Sequence, residues 1–108
     1  MKVGIDLIEI ERVKKLLQRH PAAKQRLFTE EEISYCERQV DPYPSYAARF
    51  AAKEAVFKAL GEFIGWRNVS VRRDSGKPIL FVKGKKARAE LSLSHTKGLA
   101  VAIVVFLE

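Results

Sequence analysis

The spacing of apolar residues changes along the chain. Lys2 to Leu7 reads as a short apolar strand, and Ile10, Val13, Leu16 and Leu17 then recur at helical spacing until His20-Pro21 stops the run. Thr29 followed by Glu32 has capping-box spacing, and Glu30, Glu31 and Glu32 stand where the positive end of a helix dipole favours carboxylates, so a second helix is predicted from Thr29. Asp41-Pro42-Tyr43-Pro44 predicts a rigid loop, with Ser45 as the N-cap of a longer helix that ends at Gly61. Alternating and β-branched patterns then predict four strands: Val69 to Arg72, Ile79 to Val82, Ala89 to Leu93 and Leu99 to Leu107. Asp74-Ser75-Gly76-Lys77-Pro78 suits a hairpin turn between the first two, and the last run, apolar on both faces, suits a central strand. The expected class is α+β: a short strand, three helices, then an antiparallel sheet, in a single domain spanning residues 1–108.

Composition narrows the picture. With 108 residues and 47% hydrophobic content there is room for one core, and neither an internal repeat nor a linker interrupts it. Lysine and arginine number 20 against 13 acids, a formal charge of +7 that calls for a polyanionic partner. Residues 67–97 hold nine bases (Arg67, Arg72, Arg73, Lys77, Lys83, Lys85, Lys86, Arg88, Lys97) and two acids (Asp74, Glu90), so this region carries the whole surplus. Cys36 is the single cysteine, which excludes an intrachain disulfide and a thiol-based metal site and favours a cytoplasmic setting. No run approaches the roughly 20 apolar residues of a spanning helix, and Asp6, Glu9 and Glu11 stand where a signal peptide would remain apolar, so a soluble, non-exported protein is expected.

Candidate chemistry concentrates in the long helix and the first strand. A helical wheel of Arg49 to Leu60 groups Phe50 and Phe57 and extends the apolar arc most of the way round through Leu60, Val56, Ala52 and Ala59. Glu54 and Lys58 are one turn apart on the narrow remaining face, where an ordinary pair adds a few tenths of a kcal/mol. Arg49 and Lys53, also one turn apart, repel each other unless an anion such as phosphate lies near both. Asp6, near the end of an apolar strand, either caps the following helix or joins Glu54 in holding a hard divalent cation, since magnesium prefers one or two carboxylates plus water and phosphate oxygens. Ser94-His95-Thr96, in the turn before the last strand, offers hydroxyls, an imidazole and backbone N–H groups to a phosphate or base edge, or is an exposed Ser/Thr turn. No nucleophile elbow, P-loop or dinucleotide fingerprint is present, so covalent catalysis is unsupported and any nucleotide is held by charges and turn backbones.

In order along the chain, these pieces resemble the holo-[acyl-carrier-protein] synthase family of 4′-phosphopantetheinyl transferases. The residues that carry the resemblance are Gly4-Ile5-Asp6-Leu7-Ile8-Glu9-Ile10-Glu11-Arg12-Val13, Phe28-Thr29-Glu30-Glu31-Glu32, Arg49 to Ala59, Gly76-Lys77-Pro78 and Leu93-Ser94-His95-Thr96, together nearly the full length. The resemblance implies transfer of 4′-phosphopantetheine from coenzyme A to a serine of apo acyl carrier protein, releasing adenosine 3′,5′-bisphosphate, in fatty acid biosynthesis. It implies Asp6 and Glu54 as magnesium ligands and Lys58 as a partner of the leaving phosphate. Glu54, directly or through a metal-bound water, is the implied base for the serine proton, with a water on Asp6 as the competitor. Arg49, Lys53, Lys58, Lys77, Pro78, Ser94, His95 and Thr96 are implied contacts of coenzyme A, and Arg12 and Arg19 are implied docking positions for the acidic carrier. It further implies a homotrimer with active sites between protomers.

One stretch departs from the family pattern. Between Lys77 and Ser94 the chain is short and basic, with Lys83, Lys85, Lys86 and Arg88, as though a helical turn were missing. The rival from another class is a small nucleic-acid-binding module using residues 67–97 to track phosphates. It has only Trp66 and Phe81 for base stacking and leaves Asp6 and Glu54 without a role. Neither nucleic acid nor membrane is therefore expected as a partner.

Overall fold

The structure, a computed structural model, describes Met1–Glu108. Strand β1 (Lys2–Glu9) leads into α1 (Ile10–Arg19), α2 (Ala23–Leu27), α3 (Glu30–Glu37) and α4 (Tyr43–Leu60). A 3-10 turn (Trp66–Asn68) then opens the strands β2 (Val69–Asp74), β3 (Lys77–Val82), β4 (Lys85–Lys86), β5 (Ala89–His95) and β6 (Leu99–Phe106).

The local signals at chain ends and turns behave as expected. The Thr29 hydroxyl accepts from the Glu32 N–H at 3.3 Å while a Glu32 carboxylate oxygen accepts from the Thr29 N–H at 3.0 Å, closing both halves of the capping box. Gly61 ends α4 at φ 76, a left-handed position that favours glycine. Ser75 and Gly76 have φ of 52 and 82 and form the anticipated hairpin; Lys83 and Gly84, at 51 and 80, form a second of the same kind.

Four expectations need correction. There are four α-helices, not three: α2 re-forms after Pro21, with Ala23 and Leu27 buried one turn apart, in a span too short to show a period. Helix α4 begins at Tyr43, ahead of Ser45, because Pro44 lies in its first turn, where the missing N–H has no intrahelical partner to lose, and Asp41 Oδ1 accepts from the Tyr43 N–H at 3.1 Å. The strands form two antiparallel three-stranded sheets, ordered β1-β6-β5 and β2-β3-β4, where a single sheet was expected. Ser94 and His95 lie inside β5, paired with Val101 and Ala100, which leaves Thr96 to start the turn.

Helix α4 packs on β1, β6 and β2, so it supports both sheets. Its small residues Ala51, Ala52 and Ala55 are fully buried and let β1 approach closely. A Cβ on Gly4 would lie 1.8 Å from the Ala55 carbonyl oxygen, so that position accepts only glycine. Val13 and Leu17 of α1, Ala100, Ala102 and Val104 of β6 and Val69, Val71 and Leu80 of the second sheet complete the core.

Strand β6 is central in its sheet, as its apolar run suggested, but only one of its faces is covered. On the other, Val3, Ile5 and Leu7 of β1 pair with Val105, Ile103 and Val101 of β6, and Val3, Ile5, Leu7, Leu99 and Ile103 are exposed. A contiguous apolar sheet face of this kind marks an interaction surface.

Candidate active site

Strand alternation puts Asp6 on the same side as Gly4 and Ile8, facing α4. There its carboxylate Oδ1 accepts from Lys58 Nζ at 2.9 Å, and the same ammonium donates to the Ile5 carbonyl at 3.1 Å. Asp6 and Glu54 line one cavity of about 540 Å³ between β1, α1 and α4. Burial raises the Glu54 pKa above the ordinary carboxylate range, the negative charge of Asp6 raises it further, and Lys58 partly opposes both. Asp6 thus has a cationic partner in Lys58, whereas Glu54 has no ion-pair partner.

No group of three or more metal-ligating side chains exists in the chain. An all-protein cage of the kind zinc uses is therefore absent. Two carboxylates lining an open cavity fit a hard ion such as magnesium, which keeps waters and takes substrate phosphate oxygens for its remaining positions.

Arg12 and Arg19 line the same cavity from α1. Lys15 of α1, His20 at its end and Phe50 of α4 line it too, none of them marked as a site residue by a sequence motif. The spacing was available: Lys15 is three residues from Arg12 and four from Arg19, on one helical face, and Phe50 precedes Glu54 by one turn.

Arg49 and Lys53 do not serve as an open phosphate clamp. Lys53 is fully buried: its ammonium lies 2.8 Å from Glu32 Oε1 and donates to the carbonyls of Trp66, at 2.9 Å, and Val69. All three donors are engaged. Glu32 Oε2 accepts from the Val71 N–H at 2.9 Å, so this buried pair ties α3, α4 and the start of β2 together. Burial lowers the Lys53 pKa, with Glu32 acting the other way. Arg49 is equally buried, its guanidinium 4.3 Å from the Tyr35 ring centre and Nη1 donating to the Ser45 carbonyl at 3.4 Å, while Nε and Nη2 have no partner. Each of the two like charges thus has its own neighbour, Glu32 for Lys53 and the Tyr35 ring for Arg49, and both lie buried in the chain.

The remaining predicted contacts lie apart from the cavity of their own chain. Lys77 and Pro78 begin β3 beside a smaller groove, with Lys77 Nζ 3.7 Å from Glu90. Ser94 and His95 close β5 and Thr96 starts the turn; the Thr96 hydroxyl accepts from the Leu99 N–H at 3.2 Å, and the Gly98 carbonyl accepts from Ile10 N–H at 2.9 Å, tethering the turn to α1.

Residues 2–104 match the family model described as the 4'-phosphopantetheinyl transferase superfamily. The chain belongs to this superfamily. Among curated relatives of this superfamily, a holo-[acyl-carrier-protein] synthase of Chloroherpeton thalassium is 42% identical, over 97% of this chain and 96% of the relative. One from Thermus thermophilus is 45% identical, over 95% and 90%. Among solved structures, the synthase of Bacillus anthracis in complex with CoA (3',5'-ADP) matches with TM-score 0.82 and 36% identity, over 95% of this chain and 92% of that one. The Neisseria meningitidis synthase matches with TM-score 0.87 and 30% identity, over 99% and 98%. The Chloroherpeton alignment runs to 116 positions against 108 residues in this 4′-phosphopantetheinyl transferase superfamily member, so the relative carries insertions that this chain lacks. Between β3 and β5 this chain has no helix, only the tight Lys83-Gly84 turn and the two-residue β4.

Proposed function

We propose that this chain is a holo-[acyl-carrier-protein] synthase, transferring 4′-phosphopantetheine from coenzyme A to a serine of apo acyl carrier protein in fatty acid biosynthesis, in the cytoplasm. One observation carries the reading within the superfamily: Asp6 and Glu54 face a shared cavity, with Lys58 on Asp6 and a wall of basic residues on α1.

Coenzyme A brings its pyrophosphate to the two carboxylates and the carrier brings its serine hydroxyl. Magnesium held by Asp6 and Glu54 would neutralise charge on the pyrophosphate oxygens. Lys58, more than half exposed, turns from Asp6 toward the leaving phosphate and stabilises the charge that develops there. Glu54, directly or through a water, takes the serine proton. The serine oxygen bonds to the phosphorus that bears pantetheine, the bond from that phosphorus to the bridging oxygen breaks, and adenosine 3′,5′-bisphosphate leaves. Arg12 and Arg19 attract the acidic carrier, where complementary charge chiefly speeds association.

The uncovered apolar face of β1 and β6 supports assembly as a homotrimer. In that arrangement Lys77, Pro78, Ser94, His95 and Thr96 meet coenzyme A bound at a neighbouring protomer's carboxylates, which accounts for their distance from the cavity of their own chain. The deciding experiment incubates apo carrier protein with coenzyme A, magnesium and this protein, and follows the carrier by mass spectrometry. A gain of one phosphopantetheine arm is expected; no gain across several carriers overturns the assignment.

A further inference from the structure

Four aromatic rings meet beside the cavity in a cluster that the transfer reaction does not use. Phe50 stacks on Trp66 with ring centres 5.2 Å apart, and Phe57 and Phe63 stand edge-on to Trp66 at 5.3 and 5.6 Å. Phe63 is 62% exposed, although an aromatic ring of that size gains most when covered. The segment presenting these rings is held in place. The buried Lys53 ammonium grips the Trp66 carbonyl at 2.9 Å, and Asn68 Nδ2 donates to the Ile64 carbonyl at 2.8 Å. An aromatic ledge tied down through its backbone, with Phe63 exposed and the other three rings half-buried, has the form of an interface anchor awaiting a partner.

Its surroundings indicate the partner. Phe50 belongs both to the cluster and to the cavity wall, so the ledge and the cavity form one continuous surface. Across that cavity, α1 contributes Arg12, Lys15 and Arg19, with His20 at its end, facing Asp6 and Glu54. A partner covering both must be acidic where it meets α1 and must place an apolar side chain over the rings.

We propose that Phe63 and Trp66 are a docking ledge for an apolar side chain of the acidic carrier protein, beside the basic wall that attracts it. This rests on the reading of the carrier as substrate. Trp66 is the chain's single tryptophan, so its fluorescence reports on the ledge directly. Titration with an apo carrier that lacks tryptophan, without coenzyme A, should shift Trp66 emission to the blue and saturate. Phe63→Ser should weaken carrier binding about tenfold, the loss typical of one interface anchor, and Phe63→Leu should restore most of it. Coenzyme A affinity should not change in either variant.

Three outcomes overturn the ledge: emission that responds to coenzyme A and not to carrier, emission that shifts on dilution of the protein alone because a second copy covers the rings, or carrier affinity unaltered by Phe63→Ser. Wild-type protein that binds carrier through Trp66 yet transfers nothing would instead sink the enzymatic reading and leave the ledge standing.

Discussion

Lys58 Nζ lies 2.9 Å from the Asp6 carboxylate, on the exposed side of a cavity whose other acid, Glu54, has no cation of its own. With the lysine more than half exposed this pair contributes little stability, so under the proposed mechanism the lysine leaves Asp6 for a phosphate when a divalent ion takes its place. Asp6→Ala and Glu54→Ala should each abolish magnesium-dependent transfer, and chelation should do the same to the wild type. Lys58→Met should lower kcat by about 100- to 1000-fold, as for loss of one transition-state donor, with circular dichroism unchanged. Full activity in either carboxylate variant removes the metal site.

Glu54 predicts a trade of stability against activity. Its folded pKa is raised, so the folded chain binds this proton more tightly than the unfolded chain does. The corresponding stability is present below the unfolded value of 4.5 and is lost as pH climbs through the higher folded value. Glu54→Gln, which keeps the shape and removes the charge, should therefore raise Tm at pH 7 in chelator, and this gain should vanish near pH 4. Added magnesium should raise Tm of the wild type only. An equal magnesium response in both proteins would show that Glu54 does not contribute to the ion site.

The buried ion pair makes an opposite demand. Lys53→Met leaves Glu32 charged in a fully buried position and strips the Trp66 and Val69 carbonyls of their donor. The expected cost is about 3–5 kcal/mol in urea denaturation, and the double variant Glu32→Gln/Lys53→Met should recover part of it. Loss of coenzyme A affinity at unchanged stability would return Lys53 to the role of phosphate ligand.

Gly4 is a sharper steric test. Gly4→Ala sets a methyl group against the Ala55 carbonyl at 1.8 Å, and neither the strand nor the helix has a flexible side chain there to move aside. The change should cost more than about 3 kcal/mol, read as a lowered urea midpoint. A stability loss under 1 kcal/mol would mean that β1 and α4 can separate.

What the sequence revealed and what it hid divide along the range of the interactions. The Thr29 capping box, the Gly61 helix end and the Ser75-Gly76 turn are set by residues within a few positions of one another, so they were readable. The orientation of α4 was not. A wheel places Arg49 and Lys53 as charges seeking solvent or an anion, yet both are buried: Lys53 is met by Glu32 and by carbonyls distant in sequence, and Arg49 lies on the Tyr35 ring with Nε and Nη2 unpartnered. Phe50 and Phe57 correspondingly turn toward Trp66 at the protein surface. The split into two sheets is also nonlocal, since it depends on β1 pairing with β6 across the whole chain. Asp6 and Glu54 stood out because an acid amid apolar residues is costly without a partner, and that signal survives without knowledge of the fold.

The uncovered sheet face yields the last prediction. Val3, Ile5 and Leu7 beside Ile103 and Leu99 form an apolar surface, and the chain's own elements leave it open. If the proposed trimer forms through this face, Ile5→Glu with Ile103→Glu should convert it to monomers in sedimentation and remove activity without unfolding the chain, since both side chains are exposed in the single protomer. That result alone would not show that protomers share sites, but complementation does. If Glu54 of one protomer works with His95 of its neighbour, co-expressed Glu54→Ala and His95→Ala chains form mixed trimers in which one interface has both wild-type residues. Random assortment then restores about a quarter of the wild-type sites, although each variant alone is inactive. No recovery in verified mixed trimers would overturn the sharing of Glu54 and His95 between neighbouring protomers.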